Sequence, residues 1–438
     1  MKIAVIGCGY LGAVHAAAMA SLGFETVGVD VDEAKIERLR RGEPPFYEPG
    51  LPELLRAGVD AGALRFTTDV SEVAGSDVVF VAVGTPQQAG SEAADLTYVD
   101  AAIASLLPHL ADGTLVAGKS TVPVGTAQRL ADLVTPTGAS LAWNPEFLRE
   151  GFAVEDTLAP DRLVYGVADG DDASVAALDA VYASILARGT DRLVVNFATA
   201  ELVKVSANAF LATKISFINA MAELSETVGA DVTQLADAIG LDARIGRRFL
   251  NAGLGFGGGC LPKDIRAFQA RAAELGHEQT LGFLREVDQI NLRRRERMVA
   301  LVERELERTG GDRVAMLGLA FKPNSDDVRD SPALDVSRTL HESGRQVRAF
   351  DPEAAATAAR VAPGLEIVGS VAEAIQGADV LALGTEWQQF RDLDPAEVAT
   401  LTPARVIVDG RNTLDAAAWS AAGFTVIGLG RPVTEAAA

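Results

Sequence analysis

The sequence predicts an α/β fold in which two doubly wound parallel sheets are joined by a long central helix and a helical middle segment. Three observations carry this. Short apolar runs alternate with helix-like segments through the first ~200 residues, the pattern of a parallel sheet with crossover helices. The same alternation resumes near residue 313. Between the two, residues 199–228 contain neither Gly nor Pro. At 438 residues the chain is too long for one ordinary hydrophobic core, so more than one lobe is expected.

Strands of the first lobe are read at residues 2–6, 26–29, 77–83 and 114–117, with a helix-like run at 15–22 after the first. The central helix is read from a Thr199 cap, with Glu201 in its first turn, to a stop at Gly229. It would be roughly 45 Å long at 1.5 Å per residue. A second helical region follows Pro262 and runs, broken near Gly276 and Gly282, to Glu307. Strands of the second lobe are read at 313–319, 346–350, 379–383, 405–408 and 425–427, and the tail from Thr434 is read as frayed. The expected division is therefore 1–198, 199–308 and 309–438, the helical middle offering a surface for a homodimer.

Composition narrows the functional classes. An apolar fraction of 48% and 23% charged residues describe a soluble globular protein, and no window is long and apolar enough to span a bilayer. The net charge of −21, from 39 basic and 60 acidic residues, would repel a polyphosphate backbone, so nucleic acid is excluded as a partner. Met1-Lys2 runs straight into Ile3-Ala4-Val5-Ile6 without the charged and apolar regions of a signal peptide, which predicts a cytoplasmic protein. The two cysteines, Cys8 and Cys260, have no Cys-x-x-Cys or His cluster around them, so neither zinc nor a disulfide framework is expected.

Gly7-Cys8-Gly9-Tyr10-Leu11-Gly12 matches Gly-x-Gly-x-x-Gly directly after a strand and before a helix, the position at which a Rossmann-like lobe holds a dinucleotide. The glycines permit a tight turn and close backbone approach, and the helix N-terminus offers unpaired N–H groups to a pyrophosphate. Asp30 lies 21 residues after Gly9 at the end of the next strand. A carboxylate there accepts from the adenosine ribose hydroxyls and repels a 2′-phosphate, so NAD is predicted rather than NADP. Two more loops, Val83-Gly84-Thr85-Pro86 and Ser120-Thr121-Val122-Pro123, fall at strand ends on the same rim, which makes Thr85 and Thr121 candidates for the nicotinamide half. The second lobe's first strand ends in Gly318-Leu319-Ala320-Phe321-Lys322 without that glycine spacing, so a different ligand is expected there.

The stretch Gly255-Phe256-Gly257-Gly258-Gly259-Cys260-Leu261-Pro262-Lys263-Asp264 is the most informative in the chain. Four glycines in the five positions before a cysteine do not serve a packed element, since each costs ~0.5–1 kcal/mol relative to Ala inside one. They serve close approach. Pro262 suits the first turn of a helix, which places Cys260 at its N-terminus beside Lys263, an environment that favours a nucleophilic thiolate.

With these motifs the chain resembles the UDP-glucose/GDP-mannose dehydrogenase family over nearly its whole length. The resemblance rests on the glycine loop, Ser120-Thr121-Val122-Pro123, Asn144-Pro145-Glu146-Phe147-Leu148-Arg149-Glu150-Gly151, Lys204 and Asn208, the cysteine loop and Phe321-Lys322. Val83-Gly84-Thr85-Pro86-Gln87 departs from the family's Val-Asn-Thr-Pro-Thr. The resemblance implies NAD-dependent four-electron oxidation of UDP-glucose, or of GDP-mannose or a UDP-N-acetylhexosamine, through a thiohemiacetal and a thioester on Cys260. It gives Lys204, Asn208 and Asp264 to the alcohol proton and the developing oxyanion, and Thr121 to a water or the nicotinamide. It leaves Glu146 and Glu150 as the carboxylates for hydrolysis or cofactor contact. Gly7, Gly9, Tyr10, Leu11, Gly12, Asp30, Lys35, Thr85, Lys263 and Arg329 fall to NAD. Phe147 to Glu150, Phe249, Leu250, Asn251, Ala252, Gly253, Gly257 and Lys322 fall to the nucleotide sugar, with Arg411 from the second lobe and Arg244 from a neighbouring subunit.

Overall fold

The computed structural model describes residues 1–437, which divide into two compact units, 1–207 with 266–278 and 208–265 with 279–438. In the first unit, eight strands form one sheet: β1 (Lys2–Ile6), β2 (Glu25–Val29), β3 (Leu64–Thr67), β4 (Val78–Val81), β5 (Leu115–Gly118), β6 (Ser140–Trp143), β7 (Arg162–Gly166) and β8 (Asp191–Val195). Their order is β3-β2-β1-β4-β5-β6-β7-β8, parallel throughout except between β6 and β7. The central strands β1 and β4 are apolar runs because helices cover both faces. The chain reverses its winding at β1 and β4, so the loops after these strands open together at one end of the sheet, where such folds place ligands. The glycine-loop helix, Tyr10–Ser21, lies closest to that point. Its run Gly12-Ala13-Val14-His15-Ala16-Ala17-Ala18-Met19-Ala20 is buried all round, small enough to sit against the sheet and strong in helix propensity. It starts five residues before the reading from periodicity, which the glycines at its entry had obscured.

In the second unit six strands, β9 (Arg313–Leu317), β10 (Gln346–Phe350), β11 (Glu366–Ile367), β12 (Val380–Leu383), β13 (Val406–Asp409) and β14 (Thr425–Gly428), form a parallel sheet ordered β11-β10-β9-β12-β13-β14. Its core runs from Met298 and Leu301 through Val314, Leu317 and Val380 to Phe424. The tail is ordered rather than frayed: Thr434 pairs with Val426, and the Ala437 N–H donates to the Ser420 carbonyl at 3.0 Å.

The long helix spans Phe197–Val228, and the boundary between the two units falls within it. Its cap is Asn196, whose Oδ1 accepts from Thr199 N at 2.9 Å, so Thr199 lies in the first turn rather than capping it. Gly229, at φ +74°, ends the helix. The region after Pro262 resolves into Leu261–Glu274, a single turn at Glu278–Leu281, and the arginine-rich helix Phe283–Thr309. Among the described residues no helix is long and apolar enough to cross a membrane.

Candidate active site

After β1, Gly7 turns the chain at φ +87°, and a Cβ on Gly12 would overlap the Gly7 carbonyl oxygen, so the loop folds tightly onto its helix. Gly9 differs. It is the N-cap of Tyr10–Ser21, no side chain caps that end, and a Cβ on Gly9 would meet nothing within 4 Å. No neighbouring protein atom demands glycine there; an anion approaching the open helix N-terminus would. Asp30, at the end of β2 and 8% exposed, accepts from Cys8 N at 2.8 Å, Asp32 N at 3.0 Å and the Lys35 ammonium at 2.9 Å. The glycine cradle, the uncapped helix and the carboxylate fit NAD. Cys8 is fully buried, and burial, with Asp30 beside it, pushes its thiol up, which leaves it a packing residue.

Glu48, which no local pattern marks, ties this loop to the stretch around Gly151. Glu48, 2% exposed, accepts from Gly151 N at 2.6 Å and Ala153 N at 2.7 Å, and takes a very short hydrogen bond from the Tyr10 hydroxyl. Burial and that carboxylate push the Tyr10 phenol far up, so it stays a donor. Leu11 packs part-buried on the same core.

The rim loops meet as their spacing predicted. Thr85 Oγ1 donates to the Thr121 carbonyl at 2.8 Å, and Ser120 Oγ to the Val83 carbonyl at 2.7 Å. Past β6, Glu146 Oε1 accepts from the Lys204 ammonium at 3.1 Å and Oε2 from Leu148 N at 2.7 Å. The two side chains are only 13% and 7% exposed, so the pair is shielded from water. The Phe147 ring lies 5.6 Å from the Lys204 ammonium and 3.9 Å from the Arg162 guanidinium. Glu150 is buried, whereas Arg149 stands in solvent and pairs with Asp156 at 2.6 Å. One helical turn before Lys204, Glu201 accepts from Gly125 N at 2.8 Å and Ala127 N at 2.6 Å, pinning the helix Thr126–Val134 to the long helix. Burial raises its carboxyl.

In the second unit Cys260 is exposed and caps its helix, its carbonyl accepting from Asp264 N at 3.0 Å. Asp264, 3% exposed, accepts from Asn208 Nδ2 at 2.6 Å with one oxygen and pairs with Lys263 at 2.5 Å through the other. The glycines have separate reasons. A Cβ on Gly257 would lie 2.8 Å from Pro332 Cδ and overlap the Asp330 carbonyl; Gly258 sits at φ +83° with its N–H on the Arg329 carbonyl at 2.8 Å. Asn291, 1% exposed, holds Phe256 at both ends, accepting from its N–H at 2.8 Å and donating to its carbonyl at 2.9 Å. This brace was invisible in sequence because nothing marks Asn291 within its helix.

The other residues assigned to the nucleotide sugar belong to this second unit. Phe249 adopts φ +65°, Leu250 is buried, and Asn251 accepts from Arg247 at 2.8 Å. Gly253 N donates to Asn219 Oδ1 at 2.9 Å, and the Ala252 carbonyl accepts from Asn412 at 3.1 Å. Arg411 grips three backbone carbonyls, Gly384 at 2.8 Å, Gly255 at 3.0 Å and Phe321 at 3.1 Å, and so fixes the cysteine loop to the ends of the sheet. The Lys322 ammonium lies 5.2 Å from the Phe321 ring, Arg329 forks onto Asp327, and Arg244 projects from an exposed loop, bound to Asp242. Among the described residues no group of three or more His, Cys, Asp or Glu is placed to hold a metal ion.

Comparison with known proteins is consistent across the chain. Three domain models of the UDP-glucose/GDP-mannose dehydrogenase family match it: the NAD-binding domain over residues 1–186, the central domain over 198–293 and the UDP-binding domain over 315–416. The UDP-glucose 6-dehydrogenase of Rhizobium meliloti is 41% identical over 441 residues, 99% of this chain and 100% of that one. Among solved structures, a UDP-glucose dehydrogenase from Pyrobaculum islandicum is 40% identical with a TM-score of 0.85, covering 94% of each chain. A UDP-D-ManNAc dehydrogenase from Pyrococcus horikoshii is 27% identical with a TM-score of 0.85, covering 98% of this chain and 99% of that one.

Proposed function

The chain belongs to the UDP-glucose/GDP-mannose dehydrogenase family and takes NAD, and from that premise we propose that it oxidises UDP-glucose to UDP-glucuronate through a thioester on Cys260. The observation that carries the reading is Cys260 itself: an exposed thiol at a helix N-cap, with Asp264 in the next turn holding the Asn208 amide. The Gly7–Gly12 loop and Asp30 would hold NAD, which when bound would supply the hydride acceptor for both oxidations. In the first, Asp264 takes the hydroxyl proton of the sugar's primary alcohol, while the Lys204 ammonium and the Asn208 amide hold the oxygen as charge builds on it. The Cys260 thiolate then bonds to the aldehyde carbon, and the carbonyl π pair moves to oxygen, which takes back the proton held by Asp264. The resulting thiohemiacetal cannot diffuse away. Loss of a second hydride from that carbon, with the hydroxyl proton passing again to Asp264, leaves the thioester. Glu146 draws one proton from the water that attacks it, the C–S bond breaks to return the thiolate, and the carboxylic acid so formed releases the second proton to solvent as the carboxylate.

UDP-glucose is favoured over GDP-mannose or a UDP-N-acetylhexosamine by the relatives: 41% and 40% identity to enzymes named for UDP-glucose, against 27% to one named for UDP-D-ManNAc. In this reading residues 1–198 bind NAD, 199–308 carry the cysteine loop and a dimer surface, and 309–438 bind the UDP sugar. The enzyme is a cytoplasmic homodimer. Support for the dimer comes from Phe210, Phe217 and Leu224, seven residues apart on the long helix and 67%, 50% and 59% exposed, a seam that a second copy would cover. Arg244 would then reach the partner's sugar site. The decisive measurement is NADH formed per sugar at limiting UDP-glucose, with GDP-mannose and UDP-N-acetylglucosamine alongside. Two NADH from UDP-glucose are expected; one would remove the thioester, and activity on another sugar alone would change the substrate.

A further inference from the structure

Lys119 follows β5 directly and is 6% exposed, yet among the described residues no carboxylate reaches hydrogen-bond distance of its ammonium. Nζ donates instead to Asn144 Oδ1 at 2.9 Å, to the Asn144 carbonyl at 3.4 Å and to the Tyr182 hydroxyl at 3.3 Å, and lies 5.6 Å from the Phe80 ring. Tyr182 in turn donates to Asn144 Oδ1 at 2.7 Å, and Asn144 Nδ2 donates to the Val164 carbonyl at 3.0 Å. A cation buried among neutral groups is costly, and a Met would fill the same volume without that cost. Packing therefore does not explain a lysine here.

The connection to chemistry runs through the backbone. Asn144 is the first residue past β6, Pro145 restricts the peptide on either side of it, and Glu146 comes next. Whatever orients Asn144 thus orients Glu146, whose carboxylate meets Lys204 at 3.1 Å. We propose that Lys119 is a positioning residue, its buried ammonium clamping Asn144 and thereby holding Glu146 against Lys204. The charged and titratable groups that face it are Glu146, which attracts it, Lys204, which repels it, and His15 and Tyr182, both buried. Burial brings the Lys119 ammonium down to about 8, so it remains the protonated donor near neutral pH. Without the clamp, Glu146 would stand apart from the Lys204 cation that it now meets at 3.1 Å.

The inference rests on the catalytic reading of Glu146 and Lys204. In the full-length protein, Lys119→Met is expected to lower kcat at least tenfold with KM for NAD and UDP-glucose within threefold, and to move the acid limb of the kcat profile to higher pH. A purely structural lysine would not move that limb. Wild-type kcat with an unmoved limb overturns the proposal. Asn144→Ser, which removes the acceptor, is expected to reproduce both changes, and the double variant to be no worse than either single one; additive losses would also overturn it. Crystal structures separate this from the activity reading. Should the wild type reduce no NAD with any nucleotide sugar, the catalytic reading falls, but the clamp still predicts a Glu146–Lys204 separation beyond 4 Å in whichever variant folds, and an unchanged pair refutes it.

Discussion

Gly9 and Gly12 belong to one motif, but they are glycine for different reasons, and substitution by alanine separates these. Gly9 is a helix N-cap at φ −70°, ψ −161°, backbone open to any residue, and its Cβ would meet nothing within 4 Å. Replacing Gly by Ala at an N-cap costs about 0.5–1 kcal/mol, or about 1–4 °C in a protein of this size. The methyl would, however, stand where the pyrophosphate must approach the helix. Losing one charge-assisted hydrogen bond there costs about 1.5–3 kcal/mol, which is about a 10- to 100-fold loss of NADH affinity. Gly12→Ala instead drives a methyl into the Gly7 carbonyl, an overpacking of about 1–3 kcal/mol or more, and should lower the melting temperature before any question of cofactor arises. Thermal unfolding with and without NADH, and NADH titration by fluorescence, measure both. The reasoning fails if Gly9→Ala binds NADH within threefold of wild type, or if it melts as early as Gly12→Ala.

Cys260→Ser should leave NADH binding intact and abolish UDP-glucuronate, since a hydroxyl at a helix N-cap is not ionised as a thiol is; carboxylate at the wild-type rate would remove the thioester. Lys119 gives a pH-dependent stability. Its amine titrates near 8 folded and 10.5 unfolded, so the unfolded chain binds more protons between these values and stability rises with pH across that window. The shift is worth about 3 kcal/mol, hence Lys119→Met should gain relative to wild type as pH falls from 10.5 to 8 and hold that gain below; a pH-independent difference contradicts the assignment. Phe217→Glu, on the exposed seam of the long helix, should convert the proposed dimer to monomers in sedimentation, and an unchanged mass would contradict a dimer on that seam.

Much of the architecture was readable because buried parallel strands are written as apolar runs. Lys2–Ile6 and Gln346–Phe350 match their readings residue for residue. The strands that escaped lie mainly in short or marginal places: β8, an edge strand whose Asp191-Arg192-Leu193-Val194 are exposed, β11 with two residues, and β3 and β6 with four. Burial on one side or a polar start breaks the apolar signal there. At the site, glycine spacing, strand ends and the cysteine loop marked the glycine loop, Asp30, Thr85, Thr121 and Cys260 as candidates, whereas Glu146, Lys204, Asn208 and Asp264 came from the family resemblance. Residues that hold those in place were not legible. Glu48, Lys119, Glu201 and Asn291 are each at most 6% exposed and bonded to backbone or amide groups far away in sequence, and such long-range pairing leaves no local pattern. Lys119 stood one residue before the Ser120-Thr121 loop, yet position alone could not distinguish a buried lysine from a solvated one.

Asp30 shows how one residue can carry both kinds of role. The second lobe has its counterpart: Asp351, just past β10, 1% exposed, accepts from Leu319 N at 2.7 Å, Ala320 N at 2.9 Å, Trp387 Nε1 at 3.1 Å, Glu353 N at 3.0 Å and Ala354 N at 2.8 Å. It sits at the same topological place as Asp30 past β2, and in both lobes the acid binds the loop that follows the first strand of its sheet. Holding that loop is therefore a task of the fold, and the proposed contact with the ribose would be added to it in the first lobe alone. Asparagine substitution tests the separation. In Asp351→Asn the amide nitrogen faces at best the two N–H donors of Glu353 and Ala354, each left unsatisfied at about 1–3 kcal/mol, so a loss of about 2–6 kcal/mol is expected with NADH affinity unchanged. In Asp30→Asn the amide nitrogen can face Asp32 N alone, leaving Cys8 N its acceptor, so the stability loss should be smaller while NADH weakens and discrimination against NADPH falls. Denaturant titration and parallel NADH and NADPH binding distinguish the two, and an Asp351→Asn that weakens NADH as much as Asp30→Asn would break the argument.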